Sequence, residues 1–329
     1  MTDKKTISIL GAGAMGWAIA YLISSYQRGQ VKLWDRSPEL ISWAVKTRQN
    51  PKNSSPEIIM PKDVLFLTDL EETVRNSDLV VLAVPSFAVR EMCQKLARFP
   101  LPPILMISKG MEEETSLLPF QVAEKILGKK DILHLTGTGY GKEVHKKIPT
   151  TEVLASKDER LLGKVKSILE TDWLTIETTT DLLGAQLAGA LKNVMVIGIG
   201  LACGSKENPG LKAKFIKEGV REMVELGNAL GARKETFFGP AGKGDLELSA
   251  DPLSRNYKLG QNLAEQGLDE ILDGLKKKGI TVEGFHTALA AHLLAKKKGV
   301  LLPIVEEVYN VIYGGKDPKL AVEELKKVA

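Results

Sequence analysis

Aromatic residues are scarce, at 5% of a 329-residue chain, and neither sign of charge dominates: 45 basic side chains stand against 41 acidic ones, a net +4. Nucleic-acid binding calls for a basic stripe interleaved with aromatics, so that class of function is set aside. A small positive excess suits an anionic metabolite. The two cysteines, Cys93 and Cys203, lie far apart in apolar surroundings. Without the paired spacing of a zinc site or a disulfide framework they read as buried, reduced thiols. The four histidines have no metal-ligand spacing, and no metal is expected. No segment approaches the ~18 uninterrupted apolar residues of a membrane span. The Met1-Thr2-Asp3-Lys4-Lys5 opening leads into a strand-like run without the pattern of a leader. No internal repeat is visible. The expectation is a cytoplasmic, globular protein whose length suits two domains.

What is present is an alternation. Thr6–Leu10, Val31–Trp34, Val64–Leu67, Leu79–Val84, Ile104–Ile107 and Ile132–Leu135 are short apolar runs, and helical patterns begin with Met15–Ser25. Leu79–Val84 is apolar without alternation, as a strand covered on both faces should be. Strands alternating with helices predict an α/β fold with a Rossmann-type, doubly wound parallel sheet. After about Asp181 the strand signals fade. A long, nearly uncharged helix is expected from Leu182 to Ala202, then amphipathic helices near Leu211–Leu230, Arg255–Glu265, Leu268–Lys277, Thr287–Lys298 and Ile304–Tyr313. Residues 1–180 are thus expected to form the α/β domain and 181–329 an all-α one.

Gly11-Ala12-Gly13-Ala14-Met15-Gly16 stands between the first strand and the first helix. In a G-x-G-x-x-G turn the first glycine permits the tight bend, the second lets backbone approach a pyrophosphate, and the third lets helix pack on strand. Helix N–H groups then face the phosphates. Asp35, ending the second strand, would accept hydrogen bonds from the adenosine ribose and repel a 2′-phosphate, whereas Arg36 beside it could pair with one. The first domain is accordingly a dinucleotide-binding domain for NAD or NADP, with NAD slightly favoured.

Lys192 is the most informative residue of the second half. It stands with Asn193 in Gly189-Ala190-Leu191-Lys192-Asn193-Val194, inside an otherwise uncharged helical stretch. Burying an ammonium without partners is costly, and no amphipathic face offers it a route to solvent. A chemical role follows more readily than a structural one.

Further motifs recur in order: Val84-Pro85-Ser86, Ser108-Lys109-Gly110-Met111-Glu112, Lys142-Glu143, Gly242-Lys243-Gly244-Asp245-Leu246, Ser254-Arg255-Asn256, Val282-Glu283-Gly284 and Glu306-Glu307-Val308-Tyr309. With the glycine turn and the Lys192 segment, they make the chain resemble NAD(P)-dependent glycerol-3-phosphate dehydrogenases almost end to end. The resemblance implies reversible hydride transfer between NAD(P)H and dihydroxyacetone phosphate, giving sn-glycerol 3-phosphate for glycerophospholipid synthesis, by a homodimer. It implies Lys192 as general acid/base, with Asp245 holding its ammonium by a charge-assisted hydrogen bond and Asn193 alongside as a catalytic residue. Substrate would meet Lys109, Gly137, Gly139, Lys192, Asp245, Ser254, Arg255 and Asn256. Cofactor would meet Gly11, Gly13, Ala14, Met15, Gly16, Asp35, Arg36, Pro85, Lys109, Gly141, Arg255, Thr281 and Glu283. A proton on the carbonyl oxygen is what ketone reduction needs as hydride arrives, and an ammonium supplies it.

One stretch departs from the family. Where its members carry a Ser-Gly-Pro-Ser/Thr-Phe-Ala loop, this chain has Thr136-Gly137-Thr138-Gly139-Tyr140-Gly141. A proline and a hydroxyl residue are missing, although Thr138 offers a hydroxyl one position early. Two added glycines are expected to loosen the loop and to weaken substrate affinity. A relative acting on another small phosphorylated or carboxylated hydroxy compound, and a nucleotide-binding protein without turnover, therefore stand as alternative readings.

Overall fold

The computed structural model describes residues 5–51, 58–128, 131–139, 146–204, 208–266, 268, 271 and 282–328. The chain divides into two compact units, one of Met1–Val84, Ala88–Ser108 and Phe120–Leu182, the other of Pro85–Phe87, Lys109–Pro119 and Leu183–Ala329. Two contiguous domains are the expectation, and the units depart from it. Residues 85–87 and 109–119 group with the helices because Ser86 is held by Glu283 and Lys109 by Asp245.

The first unit is built on eight strands: β1 (Thr6–Leu10), β2 (Gln30–Trp34), β3 (Leu65–Leu67), β4 (Leu79–Leu82), β5 (Ile104–Met106), β6 (Ile132–Gly137), β7 (Thr150–Ser156) and β8 (Leu174–Thr179). Their order in the sheet is β3-β2-β1-β4-β5-β6-β7-β8. Every residue of β4, β5 and β6 is buried, which is why these strands read as unbroken apolar runs. β1 pairs with β2 on one side and β4 on the other, both parallel. The strand order reverses there, and ligands of open α/β sheets bind outside the carboxyl ends of strands at such a point. Helix Ala14–Ser25 follows β1 and turns Trp17 wholly inward, stacked on Phe66 with centroids 5.5 Å apart. Such burial contributes roughly 1.5–3 kcal/mol per large side chain.

The sheet is not parallel throughout. β6 and β7 run antiparallel. The Thr138 N–H and hydroxyl both donate to Thr151 O, at 3.2 and 2.9 Å, turning the chain straight back where a parallel pair needs a crossover helix. Helix Glu159–Leu169, N-capped by Asp158 on the Arg160 N–H at 2.8 Å, then makes that crossover and sets β8 parallel to β7. Neither strand stands out in the sequence. β7 opens Thr-Thr-Glu, and β8 alternates buried with exposed residues.

In the second unit, helix Leu182–Cys203 is buried on nearly every side, so its sequence is apolar all round and not amphipathic. Among the described residues it alone is long and apolar enough to cross a membrane, yet 94% of its apolar window is covered by protein. Helices Pro209–Leu230, Arg255–Gln266, Glu283–Lys298, Pro303–Ile312 and Pro318–Val328 follow, the last unanticipated. The expected helix at 268–277 falls almost wholly outside the described residues. Gly200 and Gly260 let Leu182–Cys203 cross Arg255–Gln266 closely. A Cβ on Gly200 would stand 2.2 Å from Tyr257 O, and one on Gly260 2.0 Å from Ile197 O. Helix Pro303–Ile312 has no side-chain cap of its own. Buried Glu222 supplies one from helix Pro209–Leu230, accepting the Ile304 N–H at 2.6 Å and the Val305 N–H at 3.3 Å.

Candidate active site

The glycine turn after β1 has the shape a dinucleotide needs. Gly11 has φ +112°, and a Cβ there would lie 2.5 Å from Ala83 O; one on Gly16 would lie 2.0 Å from Gly11 O. Around Gly13 a Cβ would meet nothing within 4 Å. Gly13 and Ala14 are exposed and Met15 half-buried, and the helix opens at Gly13 without a side-chain cap. Its first N–H groups are therefore offered to an anion. Asp35 Oδ2 accepts the Ala12 N–H at 3.0 Å and Oδ1 the Ser37 N–H at 3.0 Å, fixing the carboxylate at the end of β2. Asn50 braces the turn from its other side, donating to Ala12 O at 2.9 Å. Arg36 is exposed, within electrostatic reach of Glu91.

In the helical unit, Lys109, Lys192 and Asp245 come together. Lys192 Nζ donates to Asp245 Oδ1 at 3.0 Å, and Lys109 Nζ to Asp245 Oδ2 at 2.7 Å. Lys192 is 5% exposed and Asp245 1%, so this pair lies almost out of reach of bulk water, while Lys109 is partly exposed. Burial alone would push the Asp245 carboxyl up. The Lys109 and Lys192 ammonium groups outweigh it and hold the carboxyl below its ordinary value. Asp245 heads helix Asp245–Ser249 directly after the π-helical turn Pro240–Gly244, so its side chain is aimed inward and is not spent on a cap. Ser249, which the motifs do not single out, accepts from Lys192 Nζ at 2.7 Å. Its one sequence signal is its place one helical turn after Asp245.

Asn193, the residue after Lys192, has partners of its own. Next to Lys192 on a helix, it points about 100° away, donating to Lys109 O and Gly189 O, each at 3.4 Å. Its Oδ1 accepts from Asn256 Nδ2 at 2.8 Å, and Asn256 Oδ1 accepts the Gly284 N–H at 3.2 Å. The two amides thus tie Lys109 and helices Leu182–Cys203, Arg255–Gln266 and Glu283–Lys298 together. Arg255 is the first residue of its helix and exposed, and Ser254 precedes it, accepting the Lys258 N–H at 2.9 Å. Glu283 opens helix Glu283–Lys298 and accepts both the N–H of Ser86, at 3.0 Å, and its hydroxyl. Burial raises the Glu283 carboxyl, against the pull of Ser86 and the nearby Arg255. Pro85, beside Ser86, is exposed.

Gly137 closes β6 in the sheet unit, and Gly139 follows two residues on. Residues 138 and 139 are bonded to β7: besides the two Thr138 bonds to Thr151 O, the Gly139 N–H donates to Glu152 Oε1 at 2.8 Å, while the rest of the loop expected to loosen, from 140 to 145, lies outside the described residues. The Thr138 hydroxyl is already engaged there. Gly141 and Thr281 lie outside the described residues.

Two family models, described as NAD-dependent glycerol-3-phosphate dehydrogenase N-terminus and C-terminus, match residues 6–162 and 181–323. A glycerol-3-phosphate dehydrogenase [NAD(P)+] of Clostridium acetobutylicum is 33% identical over 322 residues, covering 97% of this chain and 96% of its own. The enzyme of that name from Hydrogenovibrio crunogenus is 35% identical over 329 residues, covering 98% and 95%. Among solved structures, glycerol-3-phosphate dehydrogenase from Coxiella burnetii superposes with a TM-score of 0.91 at 27% identity, covering 98% of each chain. With both family models matched across nearly the whole chain, and the fold shared, the chain belongs to the NAD(P)-dependent glycerol-3-phosphate dehydrogenase family.

Proposed function

We propose that the chain interconverts dihydroxyacetone phosphate and sn-glycerol 3-phosphate with NAD(P)H or NAD(P)+. The observation that carries this reading is Lys192, an ammonium buried in an apolar helix and bonded to Asp245 and Ser249. The glycine turn, its open Gly13 and the uncapped helix behind it fit a dinucleotide pyrophosphate, with Asp35 set for the ribose. A reduced dinucleotide held by these residues would supply the hydride that ketone reduction needs.

The protein's own part is proton delivery and orientation. As the carbonyl oxygen gains charge, the Lys192 ammonium stabilises it and passes it a proton, leaving the alcohol. Asp245 keeps the two lysines together, which would otherwise repel, and aims Lys192 through a charge-assisted bond. Lys109 adds a second positive charge toward an anionic triose. Arg255, at a helix start, offers a planar fork for the phosphate. In the oxidative direction Lys192 takes the alcohol proton.

The same reading includes NAD slightly ahead of NADP, a homodimer, a cytoplasmic location and use of the product in glycerophospholipid synthesis. The test is the loss of reduced-cofactor absorbance with dihydroxyacetone phosphate, with unphosphorylated dihydroxyacetone, and with cofactor alone. Turnover confined to the phosphorylated ketone is expected. Equal rates for both ketones, or NADH binding without turnover, would overturn it in favour of another hydroxy compound or a non-catalytic role.

A further inference from the structure

Glu152 lies on β7 directly across from Gly137 of β6, and is 3% exposed. A carboxylate in the middle of a packed sheet is costly unless its oxygens are bonded. One of them reaches past the end of β6 and accepts the Gly139 N–H at 2.8 Å. The two glycines of this loop fit around that side chain. Gly137 has φ +141°, where an added Cβ would lie 2.9 Å from Glu152 Cα and 3.0 Å from its Oε2. On Gly139 a Cβ would stand 2.3 Å from Glu152 Oε1. No side chain can occupy position 139 while Glu152 keeps this place.

The loop also sits where an α/β sheet does its work. β6 runs parallel to β5, as β1 does to β4 and β4 to β5. Its carboxyl end is therefore on the same edge of the sheet as the glycine turn after β1, the edge at which such sheets take ligands.

We propose that Glu152 is a positioning residue for substrate: it holds the Gly139 N–H and fills the volume of a side chain at 139, so that position 139 meets substrate with backbone alone. The missing hydroxyl residue and the buried acid are then two halves of one arrangement. The rigidity that a proline would give elsewhere comes here from Glu152 and from the Thr138 bonds to β7. The inference rests on the reaction proposed above and names a residue that acts through Gly139, not on the reacting atoms.

The test is a reciprocal pair of substitutions in the full chain, read as KM for dihydroxyacetone phosphate, kcat, NADH affinity and thermal midpoint. Glu152→Ala frees the Gly139 N–H and should raise KM at least about tenfold, the usual scale for losing a buried hydrogen-bond partner, with NADH affinity nearly unchanged. Glu152→Gln keeps an acceptor oxygen and should stay within about threefold of the parent. Gly139→Ser should be as damaging as Glu152→Ala, and the double variant Gly139→Ser, Glu152→Ala should be no worse than Glu152→Ala alone, since the serine then has room; losses that multiply would overturn the proposal. Should Glu152→Ala fail to fold, Glu152→Asp keeps the buried acid one methylene short of Gly139. A raised KM in that variant supports the proposal and an unchanged KM overturns it. Parallel falls in KM performance, NADH affinity and thermal midpoint would make Glu152 a fold residue only and overturn it, as would a Glu152→Ala enzyme with parental KM. A parent chain that binds NADH but does not turn over the phosphorylated ketone would overturn the reaction first, and this inference with it.

Discussion

Lys192 Nζ lies 3.0 Å from Asp245 Oδ1, although 53 residues separate the two in sequence and both are almost wholly buried. A buried charge pair of this kind is a weak source of stability, so its presence here points to chemistry. Lys192→Ala is expected to abolish nearly all turnover while NADH binding, at the glycine turn, persists. Single-turnover reduction at close to the parental rate would remove Lys192 from the mechanism.

Arg255→Lys tests phosphate recognition. The variant keeps the charge and loses the planar, two-pronged donor. We expect kcat/KM for dihydroxyacetone phosphate to fall about tenfold, or ~1.4 kcal/mol, with the low rate on unphosphorylated dihydroxyacetone hardly changed. The exposure of Arg255 argues against a larger figure. An equal loss on both ketones would assign Arg255 to cofactor binding or to the fold.

Cofactor choice turns on the end of β2. Asp35 is fixed by two backbone N–H groups while Arg36 is exposed beside it. Arg36→Ala should weaken NADPH more than NADH, measured as the ratio of the two dissociation constants. An unchanged ratio would mean that Arg36 meets no 2′-phosphate.

Glu222 predicts a pH dependence of stability. Burial pushes its carboxyl up to about 8, against the pull of the Ile304 and Val305 N–H groups, from an ordinary 4.5. The folded chain therefore holds a proton that the unfolded chain releases. This contribution is full below about 4.5 and is lost as pH rises toward about 8. At ~1.4 kcal/mol per pH unit it amounts to about 5 kcal/mol at most. Asp245 has the opposite sign, its contribution being lost as pH falls into the acid range. Thermal midpoints of Glu222→Gln should fall less between pH 5 and 8 than those of the parent, on the scale set by that linkage. Parallel profiles would contradict the assignment.

How far these features were legible in the sequence depended on what covers each element. β1, β4, β5 and β6 are almost wholly buried, so their apolar runs announce them, and the glycine turn shows in the φ of Gly11 and the close packing at Gly16. β7 carries the buried polar Glu152, and β8 faces out on one side; pattern alone hides both. Lys192 is legible because charge is absent around it. Ser249 and Glu152 are not, because each acts through a contact made only when distant segments meet, and serine or glutamate at such a position has no distinguishing neighbour. Asn193 shows the converse: adjacency to Lys192 in sequence sends its side chain to a different partner.

Helix Leu182–Cys203 carries a consequence for synthesis. Its apolar surface is covered in part by helix Pro303–Ile312, for Ile304 Cγ2 packs where a Cβ on Gly198 would fall, at 2.7 Å. Ile304 leaves the ribosome about a hundred residues after Cys203, on the order of ten seconds at ordinary elongation rates. For that interval a helix with the composition of a membrane span stands without its cover. The nascent chain is thus at its most aggregation-prone after the nucleotide unit is complete and before the last helices arrive. Substitutions that slow the docking of Pro303–Ile312, Glu222 at its N-terminus among them, will show first as lost yield and not as lost catalysis.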